Sequence, residues 1–179
     1  MKKILILLIS LSISQFSISQ NKKSKEVKSD LDKINFSGLK FRSVGPALTA
    51  GRIADIDVNK NNSKIYYVAV ASGGLWKTQN SGNTFEPIFD NEGSYSIGCV
   101  KIDPNNEHTI WVGTGENNNQ RSVAYGDGVY RSLDDGKTWK NMGLKNSEHI
   151  GMIEIDPNNS NKIYVAAYGP LWKEGGERG

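Results

Sequence analysis

Asp103-Pro104-Asn105-Asn106, followed by Thr109-Ile110-Trp111-Val112-Gly113, reads as a turn that opens into a strand. Proline fixes φ, and the Asp and Asn side chains bond nearby backbone, so the first four residues reverse the chain. The β-branched and aromatic run after them has the partial alternation of a strand. The same unit stands on either side. Upstream is Asp57-Val58-Asn59-Lys60-Asn61-Asn62 with Lys64-Ile65-Tyr66-Tyr67-Val68-Ala69. Downstream is Asp156-Pro157-Asn158-Asn159 with Lys162-Ile163-Tyr164-Val165-Ala166-Ala167. The leading aspartates are 46 and then 53 residues apart. That period is the length of one four-stranded propeller blade.

Working outward, the 19 glycines cluster between apolar runs, and no stretch after residue 20 carries a period of 3.6. The expected fold class is all-β: propeller blades of four antiparallel strands, as a fragment of a larger propeller. Blade one is expected near 51–58, 64–71, 74–79 and 85–90. Blade two is expected near 95–102, 109–114, 128–133 and 139–143. Blade three begins at 149–155 and 162–168, and its last strands and the C-terminal blades that follow are expected to be missing. Such a piece is expected to expose a strand edge and apolar faces.

A second motif falls inside the blades. Ser132-Leu133-Asp134-Asp135-Gly136-Lys137-Thr138-Trp139 fits S-x-D-x-G-x-T-W in full, and Thr78-Gln79-Asn80-Ser81-Gly82-Asn83-Thr84-Phe85 fits a looser form 54 residues earlier. The chemistry is local. Asp134 or Asn80 accepts N–H groups of the turn it begins. Gly136 or Gly82 takes a positive φ without a Cβ clash. Trp139 or Phe85 packs between sheets and anchors the hairpin.

This pattern resembles the Asp-box, or bacterial neuraminidase repeat, found in sialidases, xyloglucanase-type glycosidases and the sortilin ectodomain. From Phe41 to Gly179 the chain resembles the sortilin N-terminal-like, BNR-repeat glycosyl hydrolase-like family of secreted bacterial proteins. The resemblance rests on Phe41-Arg42-Ser43-Val44-Gly45-Pro46, Gly51-Arg52-Ile53, Ala71-Ser72-Gly73-Gly74-Leu75-Trp76-Lys77-Thr78 and Gly113-Thr114-Gly115-Glu116-Asn117. It implies that Thr78, Asn80, Gly82, Phe85, Ser132, Asp134, Gly136 and Trp139 are structural, on outer hairpins, and do not mark an active site.

The N-terminus has a separate logic. Lys2-Lys3, the apolar run Ile4 to Ile9 and the small residues of Ser17-Ile18-Ser19 read as a signal peptide over 1–19, cleaved before Gln20. The apolar run is too short to span a bilayer. Residues 20–37 read as a polar linker and 38–179 as the partial propeller. Cleavage lowers the formal charge from +3 to +1, so the basic pI carries little information. Lys22, Lys23, Lys25 and Lys28 are mixed with acids and lack interleaved aromatics, which argues against nucleic acid. The expected location is secreted, periplasmic or cell-surface, with no transmembrane segment after cleavage.

The single cysteine, Cys99, cannot form an intramolecular disulfide and reads as a small core residue. His108 and His149 lack neighbours at metal-ligand spacing, and no cofactor is expected. Nucleotide, nicotinamide and serine-hydrolase motifs are absent.

Glycoside hydrolysis needs two carboxyl groups flanking the scissile bond. Outside the repeat turns the candidates are Asp55, Glu116 and Asp127. Glu116 precedes the longest insertion, 117–126, whose amide, Arg121 and Tyr125 groups suit a polar ligand. Arg52, Glu116, Arg121 and Tyr125 are the candidate ligand-binding residues. A sialidase would carry an Arg cluster beginning Phe/Tyr-Arg-Ile-Pro; in Phe41-Arg42-Ser43-Val44, Ser and Val replace Ile and Pro. The leading expectation is a sortilin-like binding module for peptide or glycan. The alternative is a xyloglucanase- or sialidase-like glycoside hydrolase with catalytic residues partly in the missing blades.

Overall fold

The computed structural model describes residues 51–118 and 123–179. The signal-peptide and linker expectations, the Phe41–Pro46 motif and Arg121 lie outside those residues.

The described residues form ten strands and no helix. Sheet one is a meander of β1 (Ile53–Val58), β2 (Tyr66–Val70), β3 (Gly74–Thr78) and β4 (Glu86–Pro87). Sheet two repeats it with β5 (Ile97–Asp103), β6 (Asn106–Thr114), β7 (Val129–Ser132) and β8 (Lys140–Gly143). Sheet three holds β9 (Ile150–Ile155) and β10 (Ile163–Ala167). All pairings are antiparallel. The strands fall where the repeat predicts. β4 is shorter than expected because Pro87, opposite Trp76, has no N–H to extend the ladder.

The sheets stack face to face. Tyr67, Ala69, Leu75 and Phe89 of sheet one pack against Val100, Ile102, Ile110 and Val112 of sheet two. Cys99, Trp111 and Val129 of sheet two pack against Ile150, Ile153 and Ile155 of sheet three. Sheet two is therefore covered on both faces, which explains the unbroken apolar run Ile110-Trp111-Val112 in β6. Cys99 lies in the second of these cores, and burial pushes its thiol up to about 12, so it is inert.

Polar contacts lock the stack. β5 is the edge of its own sheet, and its outward N–H groups need acceptors. Asp55 Oδ2 accepts from Val100 N at 3.0 Å and Asp57 Oδ2 from Ile102 N at 2.7 Å, both across the gap between sheets. Where sheets two and three cross, Gly98 cannot carry a side chain: a Cβ there would lie 2.2 Å from the Ile150 carbonyl.

The meander sends connections to two ends. One carries the short turns 59–65, 79–85, 104–105, 133–139 and 156–162. The other carries 71–73, 88–96, 115–128, 144–149 and 168–178, and among these 88–96, 115–128 and 168–178 are longer than any turn at the first end. Leu171-Trp172-Lys173 resembles Leu75-Trp76-Lys77 of strand β3 but has a different structure. It is a loop: Gly179 exchanges both backbone hydrogen bonds with Ala167, so 168–178 is a connection like that of sheet two.

Candidate functional site

The long connection 115–128 is held on three sides. Glu116 N donates to Ala124 O at 3.1 Å and closes its neck. Ser94 Oγ donates to Tyr125 O, and Ser96 Oγ sits between the Ala71 and Ala124 carbonyls, tying it to sheet one. Gly126 N donates to Glu148 O, and Asn117 Nδ2 to Gly151 O, tying it to sheet three. The Tyr125 ring is left exposed on the outside.

The three candidate acids do not meet as an open pair. Asp55 lies in β1 and is occupied by Val100 N and by Ile56 N at 2.8 Å. Asp127 braces the root of the connection, taking the Tyr130 hydroxyl at 2.5 Å and lying 3.2 Å from Thr114 Oγ1. Glu116 corrects the expectation of a ligand-facing residue. It is fully buried, and its carboxylate pairs with the guanidinium of Arg52, which is itself half exposed. The reason is position: Glu116 stands only two residues past β6, under the connection rather than on it. Arg52 and Glu116 are therefore together, Tyr125 is at the surface of the same end, and Arg121 is outside the described residues. Among the described residues no group of His, Cys, Asp or Glu could hold a metal ion.

The sequence reading missed other residues at this end. Tyr95, Tyr168 and Trp172 are exposed aromatics in connections 88–96 and 168–178. The one sequence signal is a glycine close by, as at Gly93, Gly126 and Gly169; the blade period does not link these aromatics. Lys173 pairs with Glu148 at 2.6 Å, which raises the Lys173 ammonium above its ordinary value. His149 is buried 5.7 Å from the Tyr125 ring, with no hydrogen-bond partner on either nitrogen among the described residues. Burial lowers its pKa.

The opposite end carries the two eight-residue turns. In 132–139, Gly136 N donates to Ser132 Oγ at 2.8 Å, Thr138 N to Asp134 Oδ1 at 2.9 Å and Thr138 Oγ1 to Asp134 Oδ2 at 2.7 Å. Asp135 and Gly136 take φ of 63° and 87°. The turn 78–85 repeats this. Gly82 N donates to Thr78 Oγ1 and Thr84 N to Asn80 Oδ1, both at 2.9 Å, with Ser81 and Gly82 at φ of 60° and 85°. The aromatic ends differ. Trp139 donates Nε1–H to Ile88 O at 2.7 Å and packs edge-on against Phe89 in the preceding sheet. Phe85 is partly exposed and meets only the edge of Tyr66, because no described sheet precedes its own.

The Thr138 hydroxyl and amide, with Ser132, hold the Asp134 carboxyl down to about 2. A depressed acid stabilises the fold above its unfolded value near 3.8 and loses that contribution as pH falls towards 2. Asp134→Asn should therefore flatten the acid limb of a stability–pH curve between about pH 4 and 2, while leaving it unchanged in shape above pH 5. An identical acid limb in the variant would place the stabilising acid elsewhere.

Three solved structures share this architecture. They are an ancestral GH74 enzyme (21% identity over 64% of this chain, TM-score 0.54), a GH74 enzyme of Niastella koreensis (27% over 64%, 0.52) and a GH74 xyloglucanase of Xanthomonas campestris (16% over 71%, 0.50). The matched regions span 16%, 17% and 20% of those chains. Neither a family model nor a curated protein sequence matches the chain. The described sheets thus have an all-β, glycoside-hydrolase-like propeller fold, and the chain spans about a fifth or less of the enzymes it matches.

Proposed function

We propose that the chain is part of an exported, glycan-handling propeller of the glycoside hydrolase type, with carbohydrate bound at the end that carries 115–128. One observation supports this most directly: the exposed rings of Tyr95, Tyr125, Tyr168 and Trp172 stand in the long connections of that end, while the propeller fold is shared with GH74 enzymes. Sugar rings have apolar C–H faces that aromatic side chains cover, and amide and charged groups such as Asn117, Glu148 and Lys173 bond their hydroxyls. In this reading the 132–139 and 78–85 turns are Asp-boxes that build the scaffold, and residues 1–19 direct export.

Bond cleavage is a separate matter. Asp55, Glu116 and Asp127 each serve the scaffold, so a hydrolase of this design draws its acid and base from residues other than these three. That occupation of all three candidates favours a second reading, in which these blades bind peptide or glycan in the manner of a sortilin-like module and do no chemistry.

Affinity electrophoresis in xyloglucan and in mixed-linkage β-glucan gels, with a peptide-library pulldown alongside, separates the readings. Retardation by a polysaccharide that falls at least fivefold for Tyr125→Ala supports the carbohydrate site. Peptide capture without retardation by any polysaccharide favours the second reading and refutes the first.

A further inference from the structure

The connection 144–149 is the joint of its end of the molecule. Gly126 N donates to Glu148 O at 2.7 Å, which fixes the connection that carries Tyr125. Tyr168 N donates to His149 O at 2.9 Å and Gly169 N to Ser147 Oγ at 3.2 Å, which fixes the connection that carries Tyr168 and Trp172. Ser147 Oγ donates in turn to His149 O at 3.0 Å. Lys173 adds its ion pair with Glu148. The aromatic rings of both connections therefore take their positions from one short stretch of backbone. That stretch is itself strained. Leu144 and Glu148 have φ of 57° and 65°, the left-handed region that a residue with a Cβ enters at a cost. Such a conformation persists only while its surroundings enforce it.

The His149 imidazole is packed inside this joint. It is 0% exposed, and among the described residues neither ring nitrogen has a hydrogen-bond partner. Its ring lies against that of Tyr125, with centroids 5.7 Å apart. A site of this kind accepts a neutral ring but not a cation, because a buried charge without a partner is far more costly than a buried ring. Of the charged groups on the elements packed around it, Glu148 alone lies near enough for its charge to favour the imidazolium, and Glu148 is paired with Lys173. Glu116 is taken by Arg52, Asp127 by the Tyr130 hydroxyl and Glu154 by Lys101. Tyr125, Tyr168 and Cys99 offer no carboxylate, and Lys173 and Arg178 are cations. Burial outweighs Glu148 and lowers the imidazole below its ordinary 6.5. A loosened joint, with the ring in water, thus takes up the proton at higher pH than the packed one. What His149 contributes to the packed joint is present above 6.5 and is lost as pH falls through the lowered value.

We infer that His149 is the positioning residue for the aromatic rings of this end and makes them acid-sensitive: as a neutral ring it supports the joint that holds Tyr125, Tyr168 and Trp172, and once protonated it moves out to water, loosens the joint and lowers the affinity for a bound sugar. The last step rests on the carbohydrate reading above; the loosening does not. His149 touches no ligand in this account, because it is covered, and acts through Tyr125 and through the backbone bonds of Glu148 and Tyr168. The sheets are not part of the switch, since their ladders and apolar cores contain no group that titrates in this range.

Hydrogen exchange reads the joint directly. From about pH 7.5 to about pH 5, after correction for the intrinsic effect of pH, the Gly126 and Tyr168 amides should exchange at least tenfold faster, while Val112 in β6 keeps its protection. On the unaltered chain this rise should follow the titration of the His149 imidazole seen by NMR. His149→Phe keeps a ring and gives up no hydrogen bond of the side chain, so the same amides should stay protected at both pH values. Affinity electrophoresis in xyloglucan reads the consequence for binding. Retardation of the parent should fall at least fivefold over that pH interval, and that of His149→Phe less than twofold. Unchanged exchange at Gly126 and Tyr168, a rise that does not track the His149 titration, a loss of protection that extends to Val112, or a His149→Phe variant that loosens in acid as the parent does would overturn the inference. So would retardation that is equal at both pH values. A chain that no polysaccharide retards refutes the carbohydrate reading instead, and the exchange results still decide whether His149 holds the joint.

Discussion

Trp139→Ala is expected to lower the stability of the chain by about 3–5 kcal/mol, the range for truncating a packed aromatic. Two contacts go at once, and a void opens. The Phe89 ring, 5.0 Å away at 79°, loses its edge-to-face partner. Ile88 O loses the indole N–H that satisfies it. The void opens between sheets one and two, where the 132–139 turn is fastened to the sheet before it. Phe85→Ala removes a ring of the same turn type that is already partly exposed, so it should cost roughly 1–2 kcal/mol. Urea midpoints of the two variants, measured side by side, check the ordering. Equal losses would mean that the two turns are anchored alike, against the geometry.

The second large effect is expected at Arg52→Ala. Glu116 is fully buried and its charge is balanced by Arg52. Removing one partner of a buried pair leaves an uncompensated charge, at a cost of about 3–5 kcal/mol. The guanidinium is half exposed and water screens part of the change, so about 3 kcal/mol, the lower end, is the figure to expect. Replacing both groups separates charge burial from packing. Arg52→Ala with Glu116→Leu should recover much of the loss, because an apolar side chain tolerates the buried position that a lone carboxylate does not. A double variant as unstable as Arg52→Ala would show that the carboxylate is not what makes the single change costly. Glu116 also stands at the neck of 115–128, so limited proteolysis should cut Arg52→Ala within that connection before the parent is cut at all.

Much of the fold was legible in the sequence because its signals are local. Asp103-Pro104-Asn105-Asn106 and Asp156-Pro157-Asn158-Asn159 reverse the chain by their own side chains, so strand positions followed from them. The turn at 132–139 is likewise self-contained: Asp134, Ser132 and Thr138 bond one another within seven residues. The fates of the acids were not legible, because they are settled by a neighbouring sheet. Asp55 reads as a spare carboxylate until Val100 N, 45 residues on, is seen to use it. Glu116 reads as a loop residue until Arg52 is found beside it. Phe85 and Trp139 share a motif position, and what distinguishes their burial among the described residues is that Trp139 alone has a preceding sheet to pack against. Tyr95 and Trp172 were overlooked because single aromatics in connections carry no period of their own; the repeat had to be folded before they shared an end with Tyr125.

The meander order of the strands bears on how the molecule is made. Within each sheet every strand pairs with its sequence neighbour, so the closing loops are short and each sheet can assemble from a single stretch of about 40 residues. The contacts between sheets come from residues about 45 apart, as Asp55 to Val100 and Asp57 to Ile102 show. Contact order among the described residues is therefore low for a β protein, and a nascent chain emerging N-terminus first can add these sheets in sequence. Each newly formed sheet stays half-wetted until its successor arrives. The period of greatest vulnerability to aggregation is therefore the interval between the synthesis of one repeat and the next, and it is set by elongation rate more than by any long-range search.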